Sequence, residues 1–224
     1  FQGLLPPLVD NPTFTIRKRT VRVVTLDEYV ASGTMTEGQK TVLQQAVAGR
    51  KNILVVGGTG SGKTTLCNAL LADEGFRNHR VVLIEDTQEL QCSAADNVQL
   101  LVSRSDPEVS MQDLLRLTMR LRPDRIVVGE VRGGEALDLL KAWSTGHPGG
   151  VATVHANSAA DGLDRLEQLV GEVVANVPRK LISAAVDIVV GIENRNGVRR
   201  VKDILRVLSS DQNGDYRLEP LVPP

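Results

Sequence analysis

Aromatic residues are scarce in this chain, at 3% of its 224 residues. Surfaces that bind bases or sugars by stacking depend on aromatic rings, so a surface of that kind is disfavoured. No apolar run approaches the ~18 residues that a membrane span needs, and the N-terminus does not read as a signal peptide. The two cysteines, Cys67 and Cys92, fit no metal or redox spacing. They are therefore expected to be free thiols in a reducing cytosol.

An excess of charge of either sign is also missing, because the formal net charge is −1. The molecule as a whole is therefore not an electrostatic nucleic-acid binder, and no direct sequence-specific nucleic-acid binding is expected. Hydrophobic residues make up 42% of the chain, which is enough for a core. The length suits one large domain, or one domain and a fragment of another. Without an initiator methionine, the chain is expected to begin inside a longer protein.

The clearest motif in the sequence is a phosphate-binding loop. Residues Gly57–Thr64 read Gly-Gly-Thr-Gly-Ser-Gly-Lys-Thr and follow the apolar run Ile53–Val56. Glycines let successive backbone N–H groups turn toward phosphate oxygens, and the helix that follows adds the positive end of its dipole. A plain glycine-rich turn is the alternative, and the strand–loop–helix context argues against it. The predicted nucleotide-binding residues are Gly58, Thr59, Gly60, Ser61, Gly62, Lys63, Thr64 and Thr65.

Three of these residues have distinct expected roles. Lys63 would reach the β- and γ-phosphates, Thr64 would ligate Mg²⁺ through its hydroxyl, and Thr65 would contact the α-phosphate. The sequence therefore predicts a site for a nucleoside triphosphate with Mg²⁺.

The hydrophobic pattern around the loop is that of an α/β protein. Apolar, β-branched runs predict buried parallel strands, and apolar residues at helical spacing predict flanking helices. Near the C-terminus two runs around Asn196-Gly197 predict an antiparallel hairpin. Strands are predicted at 13–24 (edge strands), 53–57, 81–85, 98–102, 126–130, 151–155, 186–192, 198–208 and 216–218, and helices at 25–33, 36–48, 63–72, 110–121, 134–143 and 161–175.

Acidic residues end two of the predicted strands. Glu85 and Asp86 follow the run 81–84, and Glu130 follows the run 126–129. In an open α/β sheet the carboxyl ends of the strands form the ligand crevice, so these acids should converge with the phosphate loop. One carboxylate would hold hydrated Mg²⁺ and another would polarise the attacking water, although an acid after a strand is also a common helix cap. The spacing leaves open which acid has which role.

Two histidines lie near the last parallel strand. His155 ends that strand, where its imidazole could lie near the γ-phosphate and report hydrolysis to a mobile loop. His147 belongs to a His-Pro-Gly-Gly turn, for which a purely conformational role is an equal alternative.

A cation that neutralises transition-state charge is also expected in an oligomeric ATPase. Arg17 and Arg19 lie on a separate element before the core and are the first candidates. Arg120 and Arg122 are the second.

Taken together, the motifs resemble the secretion traffic ATPase family, which powers type II secretion, type IV pili and type IV secretion. The phosphate loop, an acidic box at 84–90, a second acidic motif at 122–133 and a histidine box at 146–157 follow the family's order. Both acidic motifs resemble the conjugation and type IV secretion branch. Residues 1–7 and 13–19 resemble the end of the N-terminal domain in conjugal-transfer ATPases of the TrbB type. The zinc-binding four-cysteine insert often carried by type II secretion members is absent from this sequence.

The resemblance implies a RecA-like P-loop NTPase core with a mainly parallel sheet. Residues 1–33 would be the end of an N-terminal domain and a linker, and residues 34–224 the ATPase domain. A homohexameric ring would bind ATP between the two domains of each subunit. The implied roles are phosphate and Mg²⁺ binding for Lys63 and Thr64, the second acidic motif's Mg²⁺ and catalytic role for Glu130, water activation for Glu85, the histidine-box role for His155, and contact with the nucleotide for Arg17 or Arg19.

The resulting expectation is a cytoplasmic ATPase, peripheral to the inner membrane, that energises conjugative pilus assembly and transfer through a type IV secretion system. Inner-membrane channel components and a coupling protein would be its partners. Three alternatives stay open: a type IV pilus extension or retraction motor, a nucleic-acid motor of the RecA or helicase type, and a nucleotide switch that does not hydrolyse.

Overall fold

The computed structural model describes residues 2–16, 22–210 and 215–222. A short antiparallel hairpin begins the chain, in which β1 (Gln2–Leu4) pairs with β2 (Thr13–Thr15). The edge strands predicted over 13–24 are thus wrong for residue 16 and for residues 22–24, and the latter lead into a helix capped by Thr25. The middle of that prediction, 17–21, lies outside the described residues.

The remaining elements include the strands and helices that the hydrophobic pattern predicts. Capping boxes begin three of the helices, at Thr25, Thr36 and Ser110, because each hydroxyl accepts a hydrogen bond from an otherwise unpaired N–H of the first turn. In chain order the elements are α1 (Leu26–Ala31), α2 (Glu37–Ala48), β3 (Ile53–Gly57), α3 (Lys63–Leu71), a 3-10 turn (Glu74–Phe76), β4 (Arg80–Glu85), β5 (Asn97–Val102), β6 (Arg104–Ser105), β7 (Glu108–Val109), α4 (Met111–Thr118), β8 (Arg125–Val128), α5 (Glu135–Ser144), β9 (Val151–His155), α6 (Ala159–Gly171), α7 (Arg179–Ala185), β10 (Ile188–Arg195), β11 (Val198–Ser210) and β12 (Tyr216–Pro220).

The main sheet of the described chain has the strand order β12-β11-β10-β3-β9-β8-β4-β5. The strands from β10 to β5 are parallel, and β11 and β12 are antiparallel. The chain runs outward from β3 to β4 and β5, then returns through β8 and β9 to β10. This reversal opens a crevice at the carboxyl ends of the central strands, where α/β proteins bind ligands. The predicted fold class, a mainly parallel α/β sheet with an antiparallel C-terminal addition, is confirmed.

Helices cover both faces of the sheet. The helices α1 to α3 pack on one face, around Leu43, Leu66 and Phe76, and α4 to α7 pack on the other, around Leu115 and Leu166. Because both faces are covered, the central strands are apolar throughout. No helix in the described part of the chain is long and apolar enough to cross a membrane.

The short strands β1, β6 and β7, of two or three residues each, are not predicted. Two further elements differ from their predictions for local reasons. Helix α7 is not predicted, because seven residues are too few to show a helical period. Helix α6 begins at Ala159, ahead of the predicted 161, because the hydroxyl of Ser158 accepts a hydrogen bond from the N–H of Asp161 and caps the helix.

One asparagine ties together the starts of the three central strands. Asn52 is buried, and its Oδ1 accepts hydrogen bonds from the N–H groups of Gly149 and Gly150 at 2.8 and 3.0 Å. Its Nδ2 donates to the carbonyl of Ala185 at 2.7 Å, at the end of α7. The residues ahead of β3, β9 and β10 are therefore held at one point of the amino edge.

A buried arginine fastens the same edge. Arg125 begins β8 and is 1% exposed. Its guanidinium donates to the carbonyls of Val47, Gly75 and Gly149 at 2.7 to 3.2 Å, and it lies 4.4 Å from the ring centre of Phe76. Hydrogen bonds to three carbonyls and a cation–π contact thus compensate the burial of this charge.

Candidate functional site

The phosphate loop joins β3 to α3 and needs its glycines for different reasons. A Cβ on Gly57 would lie 2.3 Å from the carbonyl oxygen of Ile192 on β10, a distance that no side chain tolerates. Gly62 caps α3 with φ of 102°, in the left-handed region that favours glycine. Steric exclusion therefore sets the first glycine, and backbone conformation sets the last.

Lys63, the first residue of α3, reaches back over this loop. Its Nζ donates to the carbonyls of Gly57 and Gly58 at 3.0 and 3.1 Å. Burial lowers the pKa of Lys63, and the negative charge of Glu130 opposes that shift. The hydroxyl of Ser61 is buried and has no hydrogen-bond partner among the described residues. The loop therefore presents a cation and a free hydroxyl, which suit a phosphate.

The two predicted acids converge on the loop. Glu85, Glu130 and the loop's Thr64 line one cavity of about 180 Å³. Glu85 ends β4 and is buried, and its Oε1 accepts hydrogen bonds from the N–H groups of Glu89 and Leu90 at 2.9 and 2.8 Å. Its carboxylate is therefore fixed in position by the loop that follows the strand.

Glu130 lies two residues beyond the end of β8, and Arg132 holds it there. The Nε and Nη2 atoms of Arg132 donate to Glu130 Oε2 at 3.0 and 2.5 Å. The Nη1 atom of the same guanidinium bonds the carboxylate of Asp86. Burial lowers the pKa of Arg132, but its hydrogen bonds to these acids and their charges raise it by more. One exposed arginine thus joins the two strand ends that carry the acids.

The two histidines lie at opposite edges of the sheet. His155 ends β9 directly beside Gly57 in the parallel register, and it lines the larger of the two cavities at the phosphate loop. His147 precedes β9, and its Nδ1 lies 2.8 Å from the carbonyl of Pro123 at the amino edge. Of the two possible roles for His147, its position therefore favours the conformational one.

A second, larger cavity of about 390 Å³ runs along the phosphate loop. It extends past His155 and Glu130 on one side. On the other side it is bounded by Val24 from the segment before α1 and by Arg199 from β11. All eight predicted nucleotide-binding residues except Gly58 line this cavity, as Glu130 and His155 do.

The predicted arginines are not brought to the site by the described residues. Arg17 and Arg19 lie outside them. Arg120 and Arg122 are exposed in the loop before β8, at the amino edge of the sheet.

Three other arginines line the cavity and carry no predicted role: Arg22, Arg132 and Arg199. Arg132 belongs to the second acidic motif, where its position two residues after Glu130 is the only sequence signal. Arg199 follows the predicted hairpin turn, far along the chain, and no local signal connects it to the loop.

The oxygen donors of the site suit a hard cation that the phosphates of a bound nucleotide would also coordinate. Thr64 and Glu130 supply oxygens to the same cavity, and Mg²⁺ prefers one or two protein oxygens together with phosphates and waters. Among the described residues no cluster of three or more His, Cys, Asp or Glu side chains could hold a metal, so a closed, all-protein metal site is not found there.

A glycine-rich loop after a central parallel strand, facing carboxylates at two further strand ends, defines a P-loop nucleotide-binding protein. Comparison with known proteins narrows this class. Residues 4–194 match the family model described as type II/IV secretion system protein. The chain is 52% identical to a probable conjugal transfer protein TrbB of Sinorhizobium fredii, over 98% of this chain and 67% of that protein.

Solved structures agree with this relationship. The VirB11 ATPase of the Brucella suis type IV secretion system, in complex with sulphate, superimposes with a TM-score of 0.68 at 29% identity, over 89% of this chain and 66% of that one. The pilus retraction motor PilT with bound ADP gives a TM-score of 0.64 at 24% identity, over 88% of this chain and 57% of that one, and so shares the fold. The chain thus spans about two thirds of the conjugal transfer protein and of the VirB11 chain, and somewhat more than half of the PilT chain.

The chain therefore belongs to the type II/IV secretion ATPase family, in the branch of conjugal transfer TrbB and VirB11-like type IV secretion ATPases. Membership of this family implies the use and hydrolysis of ATP.

Proposed function

We propose that this chain is the ATPase part of a Mg²⁺-dependent motor that energises conjugative type IV secretion. The observation that carries the proposal is the convergence of Lys63, Thr64, Glu85 and Glu130 at the carboxyl edge of one sheet. The likeness to a conjugal transfer protein over nearly the whole chain supports the choice of system.

The proposed role of each site residue follows from its position. The N–H groups of the loop and Lys63 bind the phosphates, and the N-terminus of α3 adds its positive dipole end. Glu130 and the Thr64 hydroxyl hold the metal. Glu85, fixed by Glu89 and Leu90, orients the attacking water, and His155 lies beside the loop to respond to the γ-phosphate.

Mg²⁺ at Thr64 and Glu130 would neutralise charge that develops on the phosphate oxygens. This proposed metal position is supported by the cavity that the side chains of Thr64 and Glu130 share. For Glu130 to hold the metal, Arg132 would have to release its carboxylate.

We further propose that the protein acts as a homohexamer at the cytoplasmic face of the inner membrane, with channel components and a coupling protein as partners. Residues 1–33 would continue from an N-terminal domain, and Arg17 or Arg19 would reach the nucleotide from that side. In the ring these arginines would neutralise transition-state charge, and the cycle would proceed by closure and release of the cleft.

The decisive experiment measures phosphate release against oligomer size for the wild-type chain and for Lys63→Ala. We expect Mg²⁺-dependent release that rises with assembly, that chelation by EDTA removes, and that is lost in Lys63→Ala with an unchanged melting temperature. Lys141→Ala, on the exposed face of α5, is the matched control and should keep the wild-type rate. A Lys63→Ala chain with the wild-type rate would contradict the proposed site.

Single-stranded DNA separates this motor from a helicase-type one. A helicase should hydrolyse ATP much faster with DNA, and the stimulation should fall as salt rises. We expect the same rate with and without DNA, because the net charge is only −1. A pilus motor would instead be indicated by co-purification with pilus components rather than channel components.

A further inference from the structure

The C-terminal hairpin is part of the wall of the nucleotide cavity. Strand β10 lies next to β3, and the carbonyl of Ile192 occupies the space where a side chain on Gly57 would lie. Near the hairpin turn, Asn194 Nδ2 donates to the carbonyl of Gly60 at 3.4 Å. The hairpin thus contacts the phosphate loop at its first and its fourth residue.

Arg199 extends from this hairpin across the start of α3. A Cβ on Gly62 would lie 3.2 Å from Arg199 Cδ and 3.4 Å from its Nε. The backbone of Arg199 pairs with Asn194 in the β10–β11 ladder, but its side chain forms no hydrogen bond or ion pair with the described residues. Val201 lies two residues further along β11 and is buried. Because side chains two residues apart lie on the same face of a strand, the Arg199 side chain leaves β11 on the face of Val201. The guanidinium is therefore held near the loop with its donors free.

The surroundings of Arg199 are apolar on one side. Val23 and Val24 line the same cavity and are half-buried. Burial raises the pKa of the nearby Tyr29 to about 12, and the positive charge of Arg199 opposes that shift.

Among the described residues that line the cavity, none is Phe, Tyr or Trp, and the imidazole of His155 belongs to the strand end beside Gly57. Arg22 lines the same cavity, but its guanidinium is paired with the carboxylate of Glu28. A flat ligand group placed here would therefore meet two valines and the guanidinium plane of Arg199.

The sheet order assigns this end of the cavity to the nucleoside. Arg199 lies on β11, two strands from β3 on one side, and Glu130 follows β8, two strands from β3 on the other. The proposed metal and water positions lie on the Glu130 side. A triphosphate held by the loop with its γ-phosphate toward Glu130 therefore directs its sugar and base toward Arg199.

On the basis of the nucleotide binding proposed above, we propose that Arg199 is a nucleotide-binding residue whose guanidinium stacks on the base. Guanidinium groups stack on aromatic rings, and a planar guanidinium does so better than an ammonium. Because no Phe, Tyr or Trp lines the described part of the cavity, this side chain supplies the flat surface, and Val23 and Val24 supply the apolar one.

The test measures the Kd of the whole chain by calorimetry for two ligands, ADP and inorganic tripolyphosphate. The phosphates of both reach the loop, but only ADP has a base. For Arg199→Ala we expect the Kd for ADP to rise about tenfold, and the Kd for tripolyphosphate to stay at the wild-type value. Arg199→Lys keeps the charge and should raise the Kd for ADP about threefold.

The matched control is Arg200→Ala, because the neighbouring side chain on the same exposed strand points to the other face. Its Kd values should equal those of the wild type. An unchanged Kd for ADP in Arg199→Ala, or an equal rise for tripolyphosphate, would overturn the stacking role. If wild type and Lys63→Ala bound ADP equally, the proposed function itself would fail, and the two failures are thereby distinguished.

Discussion

Arg132 and Arg125 lie at opposite edges of one sheet, and they differ in every contact they make. Arg132, at the carboxyl edge, has a side chain 59% exposed and bonds only to the carboxylates of Glu130 and Asp86 among its described side-chain partners. Arg125, at the amino edge, is buried, and its donors meet carbonyls and the His79 ring. Burial lowers the pKa of Arg125 to about 10, with the charge of Arg50 acting in the same direction.

The difference separates a cation that can exchange partners from one that cannot. Exposed ion pairs contribute little to stability, so the bonds of Arg132 can be broken at small cost. The buried carbonyls around Arg125 would lose their partner entirely if it moved. We therefore expect substitutions at the carboxyl edge to change turnover and those at the amino edge to change stability.

Glu130→Gln tests the carboxyl edge with the largest expected effect. The amide keeps the shape but cannot hold a metal or a proton as the carboxylate does, so phosphate release should fall roughly 10²–10⁴-fold. The free energy of unfolding should stay within about 0.5 kcal/mol of the wild type. Asp86→Asn, which removes the other partner of Arg132, serves as the comparison and should cost much less activity. A large loss of stability with retained turnover in Glu130→Gln would contradict the separation of edges.

Arg125→Met tests the amino edge. The substitution keeps an apolar stem but leaves the carbonyls of Val47, Gly75 and Gly149 without donors, so the free energy of unfolding should fall by about 3 kcal/mol. Urea denaturation measures this, and the Kd for ADP under native conditions should not change. Arg116→Met, at an exposed ion pair of 3.7 Å, should change stability by less than about 1 kcal/mol. Equal stability losses in the two variants would remove the distinction drawn above.

Arg132→Ala sharpens the comparison at the carboxyl edge. Without the competing guanidinium, Glu130 is free for a cation, so the Mg²⁺ concentration that gives half-maximal ADP binding should fall about fivefold, which corresponds to ~1 kcal/mol. Stability should change by no more than about the same amount. A Mg²⁺ titration with ADP checks the shift, and a higher Mg²⁺ requirement would show that Arg132 assists the metal instead of competing with it.

The smallest expected effect is a pH dependence at the amino edge. Burial lowers the pKa of His79 from 6.5, and the charges of Arg125 and Arg50 act in the same direction, against a backbone hydrogen bond to Gly75 and the charge of Asp124. A lowered folded-state pKa means that the unfolded chain binds a proton first. The contribution of neutral His79 to the free energy of unfolding is therefore present above pH 6.5, and it is lost as the pH falls through that value toward the folded pKa.

Urea denaturation at pH 7.5 and pH 5.5 measures this loss, with His79→Gln as the variant that lacks the titrating group. The difference in stability between the two pH values should be smaller in His79→Gln than in the wild type. His147→Gln, at the other histidine of this edge, serves as the comparison. An identical pH dependence in His79→Gln and wild type would exclude the contribution of His79.

The parts of the fold that the sequence predicts are those specified by local pattern. The central strands are continuous apolar runs, and the phosphate loop has a fixed spacing, so both are found at nearly their predicted bounds. The acids at strand ends converge because parallel strands share one carboxyl edge. The roles given to Glu85, Glu130 and His155 stay predictions, since the geometry places these side chains without showing a reaction.

The parts that the sequence does not predict depend on contacts between distant residues. Arg199 lies across Gly62 only because β10 pairs with β3 and β11 follows by a hairpin. The partners of Arg125 come from the last turn of α2, the 3-10 turn and the loop before β9, which are separate in the chain. A hydrophobic pattern records which face of an element is buried, but not which polar side chain meets which loop.

The buried Asn52 restricts where residues can be inserted into this chain or deleted from it. Since Asn52 fixes the residues that precede β3 and β9, the number of residues in each strand decides how far its last side chain projects. Both strands have five residues, and Gly57 and His155 end level with each other. Deleting one residue within 151–155 would withdraw His155 by about 3.3 Å and turn the remaining side chains to the opposite face. Insertions and deletions are therefore expected in the loops at the rim and not in these strands.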